Sequence, residues 1–282
     1  MLTKVLCKVV LVSLVASLVA LAGCRSAAST QRAYLDIIFP NEWVGDIDKI
    51  AFNEPSGICW HSIRKTLFVA GDEGDICEIK TDGTLVKQKH LRDADFEGIT
   101  FDPSSGLLYL AVEEEEAIVE VDPETFDILR QFSLPREFEG RTLLKQGGEG
   151  LEGITFVPDP AHPQGGTFYV ANQAFTLSNP QDISAIFQVE VPLRTNTGPA
   201  KIIGYFEPGV IDLSGLHCDP STGNILAICD SPNTIMEFSP AHKLLRYCAF
   251  PGDNQEGITV DPDGFIYIAQ DTGGIIKLKW LR

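Results

Sequence analysis

The sequence predicts an all-β fold, a β-propeller of five four-stranded blades, and two observations support this prediction. A phrase made of a polar residue, a glycine and an aliphatic residue recurs along the chain, with its glycines at positions 57, 98, 153, 215 and 257. Each interval of roughly 40–60 residues holds several short apolar runs separated by turn residues, as propeller blades do. The alternative is a sixth, degenerate blade hidden in the third segment, which is the longest.

The segment that contains Gly98 shows the repeating unit most clearly. Residues 98–101 are the predicted inner strand, Asp102 to Gly106 is a turn, and residues 107–112, 117–121 and 128–134 are the other three strands. The longer intervals are expected to hold insertions, namely a Gly-rich loop at 140–150 and polar interruptions at 174–184 and 194–199.

The last repeat, which starts at Gly257, is one strand short. Residues 33–39 have strand composition and are followed by Pro40. We therefore expect this N-terminal strand to be the outer strand of the last blade, because it would close the ring and remove two open edges.

The N-terminus predicts export and lipid attachment. Lys4 and Lys8 precede an apolar run at 9–22, which is too short for a membrane-spanning helix but suits a signal peptide. The run ends in Leu21-Ala22-Gly23-Cys24, which resembles the bacterial lipobox. We expect a signal peptide at 1–23, a lipidated linker at 24–32 and a propeller at 33–282; an uncleaved anchor helix is the alternative. Acylation of Cys24 would hold the chain on a membrane, facing the periplasm. Arg25, in place of aspartate, favours the outer membrane.

The charge balance argues against a nucleic-acid partner. The formal net charge is −17, from 39 acidic and 22 basic residues, and the sequence has no basic stripe of the kind that binds nucleic acid. We expect a monomer. Five cysteines follow Cys24 and show no zinc-ligand spacing, and most lie at apolar strand positions, so we expect them to be buried: Cys59, Cys77, Cys218, Cys229 and Cys248.

The residue before each repeat glycine starts an inner strand and is expected to face the central channel. These residues are Ser56, Glu97, Glu152, Ser214 and Glu256. Because side chains two apart share one face of a strand, Glu54, Asp95 and Asp212 are expected to face the channel as well. Converging carboxylates repel one another, so either their pKa values rise or a cation neutralises them. A structural reading, in which these residues only serve the turns around a water-filled channel, stays open.

A second polar set follows the second strand of each blade and would form a rim around the same mouth. It consists of Asp72 and Glu73, Glu113 to Glu116, Asn172 and Gln173, Asp230 and Ser231, and Gln270 and Asp271. From this set we select Asp72, Glu113, Asn172, Asp230 and Asp271 as rim residues, with Ser56 and Ser214 beside them. The run Glu113 to Glu116 also fits a solvated loop. His217 lies three residues after Ser214, and this odd spacing predicts that it packs between blades.

The repeated phrases, taken together, resemble the SdiA-regulated family of bacterial propeller proteins over residues 33–282. The phrases are Glu54–Gly57, Phe96–Ile99, Leu151–Gly153, Asp212–His217 and Gln255–Thr259. The resemblance implies a propeller and a location in the bacterial envelope, without a settled activity. More distantly, the inner-strand starts are similar to those of the calcium-dependent lactonases among the paraoxonase, gluconolactonase and strictosidine-synthase-like propellers. By position, the ion ligands of those proteins correspond to Glu152 and Glu256, with Glu97 as a third, whereas Ser56 and Ser214 depart from the pattern.

These observations lead to three hypotheses of function. The first is a non-catalytic binding propeller with a divalent cation, Ca²⁺, in its channel, which binds a small molecule or a protein. Its expected metal ligands are Glu97, Glu152, Glu256, Glu54 and Asp212. The second is a calcium-dependent hydrolase of a lactone or ester, although no nucleophile elbow, Walker or zinc-protease motif is present and no catalytic residue can be named. The third is an envelope scaffold without an ion.

Overall fold

Five four-stranded antiparallel sheets form a closed ring around a central channel. The computed structural model describes residues 38–47, 54–148, 150–195 and 198–281. Those ranges contain no helix, and therefore no helical segment with the length and apolar character of a membrane span. The predicted signal peptide at 1–23, Cys24 and the linker at 24–32 lie outside them.

The strands follow one another in chain order with short turns between most of them. They are β1 (Asn41–Asp46), β2 (Pro55–His61), β3 (Thr66–Gly71), β4 (Asp75–Ile79), β5 (Leu85–His90), β6 (Phe96–Phe101), β7 (Leu108–Val112), β8 (Ala117–Val121), β9 (Ile128–Ser133), β10 (Glu137–Phe138), β11 (Arg141–Thr142), β12 (Leu151–Pro158), β13 (Gly166–Asn172), β14 (Ala185–Glu190), β15 (Lys201–Phe206), β16 (Leu213–Cys218), β17 (Ile225–Cys229), β18 (Thr234–Phe238), β19 (Leu244–Ala249), β20 (Gln255–Val260), β21 (Phe265–Gln270) and β22 (Gly274–Trp280).

The prediction of five blades is confirmed, and no sixth blade occurs in the described residues. Blades one to five start at β2, β6, β12, β16 and β20, and each of these inner strands lies beside the next around the ring. The extra length before blade three forms the small hairpin β10–β11, and the remaining insertions are loops of blade three, described at 173–184, 191–195 and 198–200.

The ring is closed by an N-terminal strand, but this strand starts later than the sequence suggested. β1 pairs antiparallel with β22, from Asn41 opposite Trp280 to Asp46 opposite Ile276. The predicted strand at 33–39 lies outside the described residues except for its last two positions. Of those, Ile38 bridges to Ala249 of blade four in a parallel manner, and the Phe39 amide donates a 2.8 Å hydrogen bond to the Ala249 carbonyl. Pro40 therefore separates a short contact with blade four from the closing strand in blade five.

The core of the molecule lies between neighbouring blades. Between blades four and five, Phe39 is 1% exposed, and its ring centroid lies 5.2 Å from those of both Phe250 and Trp280. The prediction for the cysteines is confirmed, since all five in the described residues are buried and unpaired in disulfides. They serve the core as small apolar side chains.

The repeat glycines let the inner strands approach one another closely. A Cβ atom placed on Gly98 would lie 2.8 Å from the backbone nitrogen of Ile154 in the next blade, and one on Gly215 would lie 2.3 Å from the Glu256 carbonyl oxygen. The other three repeat glycines meet the backbone of the next inner strand in the same way: Gly57, Gly153 and Gly257. These five residues form a glycine ring around the middle of the channel, where the inner strands leave a space of about 180 Å³.

Candidate functional site

A β-bulge directs one side chain of every inner strand into the channel. The pairing of each inner strand with the second strand of its blade is irregular at the residue before the repeat glycine, as between Phe96 and Gly98 or between Gln255 and Gly257. The bulged positions are Ser56, Glu97, Glu152, Ser214 and Glu256. A bulge turns an extra side chain out of the regular alternation, which is why bulges are common beside functional sites.

The bulged residues of four blades line one acidic cavity at the mouth of the channel. The space between its walls is about 550 Å³, and its lining consists of Ser56, Asp72, Glu97, Glu113, Glu152, Gln173, Glu256 and Asp271. Six of these eight residues are carboxylic acids, and none is lysine, arginine or histidine. Glu97, Glu152 and Glu256, which the sequence analysis named together, therefore line the same cavity.

Two groups of three carboxylates in this region are close enough to share one cation. Oxygen atoms of Asp95, Glu97 and Glu113 lie within 4.8 Å of one another, and the same holds for Glu54, Asp72 and Asp271. Glu113, in the first group, is 4% exposed, whereas Glu54, in the second, is exposed. The first group is thus the better shielded from solvent.

Burial and mutual repulsion favour the protonated form of the deepest carboxyls. Burial, followed by the charge of Glu152, raises the pKa of Glu97 well above its ordinary value. Burial, followed by the charges of Glu113 and Glu256, does the same to the pKa of Glu152, which is 5% exposed. All the main influences on these two groups act in the same direction, because no basic side chain is near enough to oppose them.

Burial also raises the pKa values of carboxyl groups on the other side of the cavity. Burial, followed by the charges of Asp230 and Asp271, raises the pKa of Glu256 to about 8. Burial, followed by the charges of Glu54 and Asp95, raises the pKa of Asp72 to about 7. Burial also raises the pKa of Asp230, although its bond from the Gln255 amide partly opposes this. The cavity therefore carries protons near neutral pH when no cation is bound.

These shifts predict that the metal-free protein loses stability as the pH rises. The folded-state pKa values of Glu256 and Asp72 lie above those of the unfolded chain, so between about pH 4 and pH 8 the folded state binds more protons than the unfolded state. We expect the melting temperature in chelator to be highest near pH 5 and to fall steadily towards pH 8.5. The measurement is thermal unfolding across this range. A melting temperature that rises with pH over this window would contradict the prediction.

A repeated backbone contact fixes the rim of the cavity. In every blade, the residue after the second strand donates its amide to the carbonyl two residues before the bulge, as Asp72 does to Glu54 and Glu113 to Asp95. The five rim residues are Asp72, Glu113, Gln173, Asp230 and Asp271. The prediction of Asn172 was wrong by one position. Asn172 is the last residue of β13, is fully buried, and donates from its side chain to the Ile183 carbonyl.

Three predicted site residues lie near the cavity but do not line it. The Asp212 carboxylate accepts hydrogen bonds from the Gln173 side chain at 2.8 Å and the Ser231 amide at 3.0 Å, so it is held inside the protein. The Ser214 hydroxyl donates to the Gln255 carbonyl at 2.6 Å. Glu54 lies on the exposed side of Asp72. Glu54 and Asp212 also have positive φ values of 52° and 60°, so the regular alternation used to predict their direction does not extend to them.

The second opening of the channel, on the other side of the glycine ring, forms a separate pocket that we call the far pocket. Its lining includes Trp60, Phe101, Phe156 and His217, and the space between its walls is about 570 Å³. The prediction that His217 packs between blades was therefore wrong. The bulge at Ser214 shifts the alternation of β16 by one residue, so that His217 lines this pocket, with its Nδ1 3.4 Å from the Thr259 hydroxyl.

Residues 45–272 match the SdiA-regulated family, and the chain belongs to that family. The match spans all five blades. No curated protein sequence matches the chain.

Solved structures with the same fold include two bacterial proteins. Glutaminyl cyclase from Myxococcus xanthus is 12% identical, with a TM-score of 0.61, and the alignment covers 86% of this chain and 97% of that one. A gluconolactonase from Xanthomonas campestris is 14% identical, with a TM-score of 0.51 and coverage of 85% and 94%. At these identities the likeness shows the propeller fold alone.

Proposed function

We propose that this chain is a binding propeller that holds one Ca²⁺ in the acidic cavity and uses the ion and the surrounding rim to bind its ligand. The observation that carries the proposal is the convergence of six carboxylic acids on a cavity without a basic side chain. Such an arrangement is costly unless protons or a cation compensate it, and a cation restores the ionised form that carboxyl groups otherwise have at neutral pH.

The ligand geometry favours calcium over other divalent ions. The available donors are carboxylate oxygens from several strands, with an amide from Gln173 and a hydroxyl from Ser56 at the cavity wall. Ca²⁺ accepts about 6–8 oxygen ligands in irregular geometry, whereas Mg²⁺ demands a regular octahedron. Asp95, Glu97 and Glu113 would form the core of the site, because their oxygen atoms already lie within 4.8 Å of one another. Glu152 would complete it, since its charge acts directly on Glu97.

The rim supports binding of a positively charged ligand. One Ca²⁺ neutralises two of the six carboxylic acids of the cavity, and Asp271 and Asp72 lie outside the proposed ion site on the blade-one and blade-five side. A small cationic molecule, or a lysine or arginine side chain of a partner protein, would complement this remaining charge. The location we propose is the bacterial envelope, with the lipid on Cys24 anchoring the propeller to a membrane, the outer one being favoured, where it faces the periplasm.

Metal analysis of the purified soluble chain from residue 25 onwards tests the proposal. We expect up to one Ca²⁺ per chain, and a rise in melting temperature when Ca²⁺ is added to the metal-free protein. At a free concentration one hundred times the dissociation constant, the stabilisation is about 2.7 kcal/mol. For a domain of this size this corresponds to roughly 5–10 °C. A protein that carries no metal and whose melting temperature does not respond to Ca²⁺ would overturn the proposal.

The alternative is a calcium-dependent hydrolase of a lactone or ester. The observation that favours it is Glu256, a carboxyl group with a pKa of about 8 in the same cavity, which suits proton transfer near neutral pH. The calcium-loaded sample distinguishes the two functions. Turnover of a simple lactone that disappears with chelator supports the hydrolase, and its absence in a sample that binds one Ca²⁺ supports the binding propeller.

A further inference from the structure

The far pocket has the composition of a small-molecule site, and its lining is mostly apolar where that of the acidic cavity is mostly acidic. Its walls include three aromatic or heteroaromatic side chains, Trp60, Phe101 and Phe156, and three prolines, Pro103, Pro158 and Pro220. No carboxylate, lysine or arginine lines it. The space between its walls is about 570 Å³, part of it open to solvent, so a compact organic molecule can enter from outside.

The walls are held in place by contacts behind them, so the pocket is preformed. The Phe101 ring stacks on His61 with centroids 4.5 Å apart, and the Phe156 ring lies 5.1 Å from that of Phe168, edge to face. His61 in turn bonds to the Gly106 carbonyl at 2.9 Å. A preformed apolar pocket binds without the entropic cost of ordering its side chains.

The pocket also offers hydrogen-bond donors that have no acceptor. The indole Nε1 of Trp60 lacks a partner among the described residues, but it is buried behind the pocket surface, where a ligand cannot reach it. The hydroxyls of Thr100 and Thr155 each accept a backbone amide of the next blade, from Phe156 at 3.1 Å and from Cys218 at 2.9 Å. Each hydroxyl thus keeps its proton, and the described part of the chain shows no acceptor for either proton. A buried donor without a partner costs free energy, which a ligand acceptor would recover.

We infer that the far pocket binds a small uncharged molecule that combines an apolar ring with a hydrogen-bond acceptor such as a carbonyl oxygen. The aromatic and proline side chains of the walls favour an apolar ring in the ligand. The hydroxyl protons of Thr100 and Thr155, both in the lining, select the acceptor. The lack of any charged side chain in the lining excludes an ion or a strongly charged ligand, because its charge would be desolvated without compensation.

This site is independent of the acidic cavity. The two sites share no lining residue, and in blades one, two, three and five the repeat glycine lies between the inner-strand residues that line the acidic cavity and those that line the far pocket. Ligand binding in one opening therefore does not require ligand binding in the other, and the inference does not rest on calcium binding.

Acetophenone, an aromatic ring with one carbonyl, is a suitable probe, with ethylbenzene as its apolar counterpart. We expect saturation-transfer NMR and calorimetry on the whole chain to show binding of acetophenone, with or without Ca²⁺, and weaker binding of ethylbenzene. Thr155→Val keeps the shape of the side chain and removes the hydroxyl donor. It should lower the affinity for acetophenone about fivefold, which corresponds to the loss of one hydrogen bond, and leave the affinity for ethylbenzene unchanged.

A blocking variant and a matched control complete the test. Ser62 is exposed and lies in the pocket lining, so Ser62→Trp should abolish binding of both probes. Asp263 occupies an exposed turn of blade five outside the lining, so Asp263→Trp should leave binding unchanged. Failure of acetophenone to bind at millimolar concentration, or equal affinity in the wild type, Thr155→Val and Ser62→Trp, would overturn the inference.

Discussion

Replacing Glu97 and Glu152 by glutamine is expected to stabilise the metal-free propeller and, at the same time, to abolish its response to calcium. Glutamine resembles a protonated glutamate, so the double variant Glu97→Gln/Glu152→Gln no longer has to take up protons when it folds. At pH 8 in chelator, we expect a melting temperature several degrees above that of the wild type. The ion site loses two of its anionic ligands, and the rise in melting temperature on addition of Ca²⁺ should disappear.

The control is a variant that removes two negative charges from the protein surface. Glu42 and Glu114 are exposed and do not line the cavity, so Glu42→Gln/Glu114→Gln should change neither the metal-free stability nor the calcium response by a significant amount. Differential scanning calorimetry at several calcium concentrations measures both quantities. If the cavity variant is less stable than the wild type in chelator, its carboxylates are compensated within the protein, and the case for a cation is lost.

Adding one methyl group to the glycine ring is expected to have the largest structural effect. In Gly98→Ala, the new Cβ would lie 2.8 Å from the Ile154 nitrogen, and in Gly215→Ala it would lie 2.3 Å from the Glu256 oxygen. Both contacts are with backbone, so relief requires two blades to move apart. We expect a loss of about 3 kcal/mol or more, at the upper end for overpacking, and a melting temperature lower by roughly 6–12 °C.

Gly204 provides the comparison. It lies on the outer strand β15, and the only atom near its added Cβ would be the end of the Gln188 side chain at 4.0 Å. Gly204→Ala should therefore be neutral or slightly stabilising, because alanine restricts the unfolded chain. Equal melting temperatures for Gly204→Ala, Gly98→Ala and Gly215→Ala would show that the ring is wider than the structure indicates. Calcium binding should weaken only in the ring variants, since these move the cavity walls.

The repeat explains why the blades and the bulged acids could be predicted from the sequence. Every repeat glycine marks the same place in its blade, so the position of Glu97 in one blade predicts those of Glu152 and Glu256 in others. What the sequence did not reveal was the bulge itself. Without it, period-two alternation places Asp212 in the cavity and His217 between blades, and both placements differ from the structure.

Two further predictions were wrong because the contacts that decide them join residues distant in sequence. Asn172 and Gln173 are both polar and adjacent, and only the backbone contact from the Gln173 amide to the Gly150 carbonyl shows that the second belongs to the rim. That contact joins residues distant in sequence, so it leaves no local trace. The closing strand was placed before Pro40 because residues 33–39 are richer in β-branched and aromatic side chains than β1. Pairing with β22, a tertiary effect, outweighs that preference.

The pairing of β1 with β22 determines when the fold can be completed during synthesis. β1 is made before every blade, and its partner strand, Gly274–Trp280, follows every other strand of the described residues. Until then, blades one to four can pair internally, but β1 exposes Trp43 and Val44 along an open edge that could join another chain. Because Ile38 and Phe39 precede β1 and contact blade four, a pull from that side would act first on this contact and then on the five paired positions between β1 and β22 that keep the ring closed.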